Sequence, residues 1–163
     1  MWRIVLYLPL LLLAACGGDA RNVPNTGSPA PSFIAERLSG GTVELPKDLA
    51  GQVVAIRFWA DWCPYCRSEM AALNPLYAGL KAQGMEMLAV NVAQGRDRIE
   101  PFVADLKIAY PVLFDPDGSI ARNYGVSALP VTWFIDRATT SRYAPVIPAW
   151  TFSLLWIAAI IGA

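Results

Sequence analysis

The stretch "RFWADWCPYCRSEM", Arg57 to Met70, governs how the rest of the chain is read. Ahead of its cysteines, "VVAIRFWA" (Val53 to Ala60) is a β-branched and aromatic run of the kind that fills a central strand, buried on both faces. Behind them, Pro64 stands where a helix begins without losing a hydrogen bond. Met70, Leu73, Leu76, Tyr77 and Leu80 then recur at helical spacing before Gly84 ends the element. Pro75 removes a backbone donor inside this helix and is expected to kink it. Cys63 and Cys66 thus lie one helical turn apart at a strand-to-helix junction. Three readings are open: a redox couple, half of a metal site, or two buried thiols.

A catalytic dithiol needs one thiol that ionises readily and a second close enough to resolve a mixed disulfide. A helix N-terminus supplies the first condition, because its unpaired N–H groups and dipole favour negative charge at Cys63. The two-residue spacing supplies the second. Helix geometry turns the later residue inward, so Cys63 is expected to be the exposed nucleophile and Cys66 the buried resolver. The competing reading is a copper or zinc site on the same pair. It lacks its usual partners, since the chain has no histidine and only one further cysteine, Cys16. No cofactor is expected.

The 163 residues leave room for one domain. Thirteen basic and thirteen acidic residues balance to zero formal charge, so no electrostatic footprint for nucleic acid is present. The hydrophobic content of 55% is concentrated at the two ends. At the first, "MWRIVLYLPLLLLAACGGDA" places Arg3 before an apolar run, Ile4 to Leu13, followed by small residues. That pattern is an export signal, and the run is about half of what spans a bilayer. "LAAC", Leu13 to Cys16, resembles the bacterial lipobox, in which the cysteine is lipidated and becomes the mature N-terminus. Cys63 and Cys66 then remain as an even pair in an oxidising compartment. Residues 1–15 read as a signal peptide and 16–30 as a flexible tether rich in Gly, Pro, Asn and Ser. Residues 31–136 read as the folded domain and 137–163 as an atypical hydrophobic tail.

Within the domain, Phe33 to Leu38 and Thr42 to Leu45 flank "SGG" as a hairpin. "MEMLAVNVA", Met85 to Ala93, is a second strand. Ile99, Phe102, Val103 and Leu106 mark a second helix, and "YPVLFD" is extended. "GSIARNYGV" reads as a short helix ended by Gly125, and "VTWFID", Val131 to Asp136, as a further strand. Strands alternating with helices predict an α/β fold with right-handed crossovers.

"FWADWCPYCRSEM" resembles the active site of thioredoxin-fold proteins, and in particular of TlpA/ResA-type membrane-tethered thiol–disulfide reductases. The similarity runs from about Ala30 to Asp136. "APSFIAERLSGGTVELPKDLAGQVVAIRFWADWC" is similar to that family's opening hairpin and central strand, and "YGVSALPVTWFID" to the segment carrying its cis-proline loop. The resemblance implies a mixed sheet flanked by helices, with Pro130 as a cis-proline facing the dithiol and Leu129 lining the substrate groove. It places Glu69 where the family carries an acid that tunes the thiols, and Trp62, Pro64 and Tyr65 around the attacking sulfur. It implies an envelope enzyme that reduces protein disulfides, with electrons from a membrane donor and apocytochrome c as one substrate.

Three features depart from that family. Pro64-Tyr65 is the dipeptide typical of glutaredoxins. Arg57 stands where thioredoxins carry a buried acid; a cation reaching the site would lower a thiol pKa and make the pair more oxidising. The peroxidases of similar fold carry a Pro-x-x-x-Thr-x-x-Cys pattern that does not precede this dithiol. After Asp136 the family continues into an edge strand and a final helix, whereas this chain reads "RATTSRYAPVIPAWTFSLLWIAAIIGA". The 15 residues from Ala149 carry no charge, short of the roughly 20 a spanning helix needs, with Arg137 and Arg142 before them. The end therefore reads as a replacement of the edge strand and helix, with an anchor or a hydrophobic cover as alternatives. In the replacement case the domain could be incomplete and inactive.

Overall fold

The computed structural model describes residues 24–138 and 141–144. The signal segment, Cys16, most of the tether and the apolar run from Ala149 lie outside them. Seven strands and three helices follow in the order β1 (Phe33–Glu36), β2 (Thr42–Leu45), β3 (Val53–Trp59), α1 (Cys66–Ala82), β4 (Met85–Val92), α2 (Arg96–Asp105), β5 (Val112–Asp115), α3 (Ser119–Asn123), β6 (Val131–Ile135) and β7 (Ser141–Ala144). Strands β3 to β7 form one sheet in the order β5-β4-β3-β6-β7, while β1 and β2 pair as a separate hairpin. β4 runs parallel to β3 and β5 parallel to β4; β6 and β7 are antiparallel to their neighbours. This is a thioredoxin-like α/β fold.

β3 lies at the middle of the sheet and every one of its residues is buried. Its alternation assigns the two cores. Val53, Ala55 and Trp59 join Cys63, Cys66, Met70 and Leu73 on the face covered by α1 and α2. Val54, Ile56 and Phe58 join Phe33, Val43, Ile120 and Tyr124 on the face covered by the hairpin and α3. Tyr124 stacks edge-on with Phe33 and Trp133, and its hydroxyl donates to the Pro31 carbonyl at 2.7 Å.

Among the described residues, β5 is met by the hairpin and β6 by a further strand. On the β5 side the hairpin reaches across: Arg37 bridges to Leu113, and the Leu38 N–H donates to the Val112 carbonyl at 2.8 Å. On the other side β7 pairs with β6 over four residues, Ile135 with Ser141 through Thr132 with Ala144. This corrects the expectation that the edge strand is replaced and that β6 has lost its neighbour. "SRYA" carries no apolar alternation, and antiparallel backbone pairing does not require one. The sheet therefore extends beyond 136, to Ala144.

α1 continues through Pro75 to Ala82, and Gly84, with φ of 83°, makes the turn into β4. Met70, Leu73, Tyr77 and Leu80 face the core as their spacing predicts, whereas Leu76 is largely exposed. Asn74 fastens the helix to the α2–β5 connection, donating to the Lys107 carbonyl and accepting from the Ala109 N–H, each at 2.7 Å. Among the described residues no helix is long and apolar enough to cross a membrane.

Candidate active site

The site sits where β3 ends. Trp59 hands the chain to Ala60-Asp61-Trp62, and α1 starts at Cys66 with Tyr65 as its cap residue. The Cys63 N–H donates to the Ala60 carbonyl at 3.2 Å and the Cys66 N–H to the Cys63 carbonyl at 3.1 Å, which curls the motif into a single turn. Cys63 and Cys66 are joined as a disulfide, their Cα atoms 5.4 Å apart. Cys63 lies just outside the positive end of a helix of 17 residues, as a readily ionised thiol requires. Exposure does not separate the two sulfurs as expected: Cys63 is 2% exposed and Cys66 0%. In the disulfide form both pack into the apolar layer between the sheet and α1. What stands in solvent is the frame, Trp62 at 67% and Tyr65 at 66%.

β6 is antiparallel to β3, so its beginning lies at the end of β3 that carries the motif. Val131 pairs with Phe58, which brings Pro130 to that same end of the sheet. The Leu129–Pro130 peptide is cis and Pro130 is buried. Leu129 is half-buried and packs against both cores. Topology thus gathers Trp62, Cys63, Pro64, Tyr65, Cys66, Leu129 and Pro130 at one rim.

Glu69 follows Cys66 by three residues, hence one turn along the same helix face, and is buried. It pairs with Arg57, whose side chain is 3% exposed. Arg57 also donates from Nη1 to the Thr132 hydroxyl at 2.9 Å. Burial lowers the Arg57 pKa to about 10, so the guanidinium stays charged at neutral pH. The cation that the sequence placed under the site is therefore matched by a carboxylate.

A second network was not legible in the sequence. Gln94, in the turn between β4 and α2, accepts at Oε1 from the Asp61 N–H at 2.9 Å and from the Asn91 amide at 3.0 Å. Its own amide donates to the Asp61 carboxylate, which Arg98 also meets. Burial pushes the Asp61 carboxyl up, but Gln94, Arg98 and the Trp62 backbone outweigh it and hold the group below its ordinary value. Ala93, at φ of 55°, makes the turn that presents Gln94. A cleft of about 380 Å³ lies alongside, lined by Asp61, Arg67, Asp97, Arg98, Pro101 and Phe102. Only a strand-to-helix turn after β4 was visible beforehand; which side chain it would offer was not. No group of three or more histidine, cysteine or acidic side chains clusters among the described residues.

A profile of the AhpC/TSA family matches residues 26–144. The thiol–disulfide oxidoreductase ResA of Bacillus thuringiensis subsp. konkukian is 32% identical over 143 residues, covering 82% of this chain and 82% of that one. ResA of Geobacillus thermodenitrificans is 36% identical over 135 residues, covering 78% and 77%. Among solved structures, one described as a thiol:disulfide interchange protein DsbE of Chlorobium tepidum superposes with a TM-score of 0.76. It is 31% identical and covers 86% of this chain and 99% of its own.

Proposed function

The chain belongs to the AhpC/TSA family and is a thiol–disulfide oxidoreductase acting on protein disulfides; from that premise we propose that it is an exported, lipid-tethered protein that works as a reductase. The observation that carries the chemistry is the Cys63–Cys66 disulfide at the head of α1, on the rim that holds cis-Pro130. In the dithiol form, the Cys63 thiolate attacks one sulfur of a substrate disulfide and expels the other as a thiolate, which takes a proton. The Cys66 thiolate then attacks Cys63 in the mixed disulfide and releases the second substrate sulfur. Two electrons have moved to the substrate, and a dithiol donor at the membrane must return Cys63–Cys66 to the reduced state. Trp62 and Tyr65 offer aromatic surface to the substrate, and the backbone around Leu129 and Pro130 aligns it. An apocytochrome c, whose haem-binding cysteines must be reduced before attachment, is the substrate class that the likeness to ResA favours.

The tether reading rests on "LAAC": cleavage before Cys16 and acylation of that residue would leave residues 16–30 to span from membrane to domain. Mass spectrometry of the membrane fraction is expected to find a lipid adduct on Cys16; a mature chain beginning elsewhere with a free amine overturns it. For the reaction, Cys66→Ser is expected to accumulate mixed disulfides with partner proteins and Cys63→Ser is not. Equal trapping by both variants would reverse or dissolve the assignment of roles. A midpoint potential nearer to strong oxidants than to thioredoxin-like reductants would overturn the proposed direction.

A further inference from the structure

Arg57 is an unusual occupant of a strand whose other six residues are apolar, all of them buried. Alternation puts its side chain on the same face as Ala55 and Trp59, the face that holds Cys63 and Cys66. Two elements meet it there. From α1, Glu69 supplies the carboxylate, one helical turn behind Cys66. From β6, Thr132, two residues past cis-Pro130, accepts from Nη1. Arg57 Nε is buried with no hydrogen-bond partner, so one guanidinium donor is left over in the layer that contains the dithiol.

We propose that Arg57 is a positioning residue whose pairing with Glu69 sets the redox potential of the Cys63–Cys66 couple. The disulfide form carries no charge of its own, so the pair leaves this layer neutral. The dithiol form, once a sulfur ionises, adds a negative charge to a region of low polarity where charges interact strongly. The guanidinium favours that charge and the Glu69 carboxylate opposes it, so the two partners pull the potential in opposite directions. Stabilising the reduced form makes the couple more oxidising. The other charges around this region do not substitute for the pair. Arg67 pairs with Asp105 at an exposed site where solvent screens them, and the half-buried Asp61 carboxylate is already matched by Arg98 and Gln94. Tyr110, which approaches from the segment before β5, donates its hydroxyl to the Met70 carbonyl, and burial pushes its pKa up, so it stays neutral. Glu86 lies at the opposite end of β4 with Tyr77 and Lys81.

The proposal rests on the dithiol being the redox site, but not on which sulfur attacks, because a midpoint potential belongs to the couple. The test equilibrates full-length chains, in detergent, with glutathione buffers and compares parent, Arg57→Met, Glu69→Gln, Arg57→Lys and the double variant Arg57→Met/Glu69→Gln. Glu69→Gln is expected to make the couple more oxidising by about tenfold in equilibrium constant, about 30 mV. Arg57→Met is expected to make it more reducing by a similar factor. Arg57→Lys should keep the parent value because it keeps the charge, and the double variant should return towards it. A purely structural role would lower the melting temperature of both single variants and leave the potential where it was. Single variants within twofold of the parent constant, or displaced in the same direction, would overturn the proposal. Should Arg57→Met fail to fold, the displacement of Glu69→Gln and its reversal in the double variant decide the question alone.

Discussion

Asp61 shows what one side chain contributes beside the dithiol. Its carboxylate is held by Gln94 and Arg98, and its pKa lies below the ordinary value. A carboxyl depressed by folding adds stability above its unfolded pKa and loses it as pH falls through the folded one. Parent and Asp61→Asn should therefore differ in melting temperature at neutral pH and converge below about pH 4. A gap that persists in acid would show that the charge is not what matters. Asp115 acts by the opposite sign. It is buried, burial raises its pKa first of all, and its oxygens accept from the Ile120 and Ala121 N–H groups at 3.1 and 2.9 Å. Gly118, the cap residue of α3, has no side chain to do this. Asp115→Ala should cost about 1–3 kcal/mol in urea unfolding, since it strands two helix donors. At this scale the sequence declared chemistry but not partnership. Cys63 and Cys66 advertise each other because they are neighbours on one turn. Arg57 and Glu69 do not, because one follows strand periodicity and the other helix periodicity, and only packing of α1 on the sheet brings them together. Asp115 reads only as the end of the extended "YPVLFD" segment until α3 is seen to begin above it.

Among the elements, the long periodic ones were legible, and so were the short β1, β2, β5 and α3 from their apolar residues and flanking turn residues; β7 was the exception. β3, β4 and α1 follow from their apolar runs, because burying a stripe or both faces requires those residues. β7 does not, because four residues held by backbone hydrogen bonds need no pattern. Its contribution can be isolated by comparing chains that end after Ala144 and after Ala138. The shorter chain should melt lower and aggregate more readily, since β6 would then expose its unpaired backbone groups. Identical melting would mean that β7 adds nothing to the sheet. The bond pair from Asn74 links α1 to the connection before β5, so Asn74→Ala should destabilise by about 1–2 kcal/mol. The amide of Ala109, which Asn74 now protects, should exchange faster with solvent in that variant.

For the molecule as a whole, the two cores share β3 and are covered by different elements. Leu113, fully buried on the hairpin side, belongs to the core without cysteines. Leu113→Ala should cost about 2–5 kcal/mol of stability while leaving the potential of Cys63–Cys66 unchanged, because the sheet stands between. A shift in that potential would show that the layers are electrically or mechanically coupled. The hairpin side also receives the incoming chain. Pro31, the last residue but one before β1, is held through its carbonyl by Tyr124, and Tyr124 is wedged among Phe33, Phe58 and Trp133. In the tethered form proposed above, a docking partner would load the domain through the chain that precedes β1. Load arriving along residues 24–31 would reach the Pro31 carbonyl and pass through Tyr124 into the hairpin-side core, Phe58 of β3 included, and so enter on the face of the sheet that holds no cysteine.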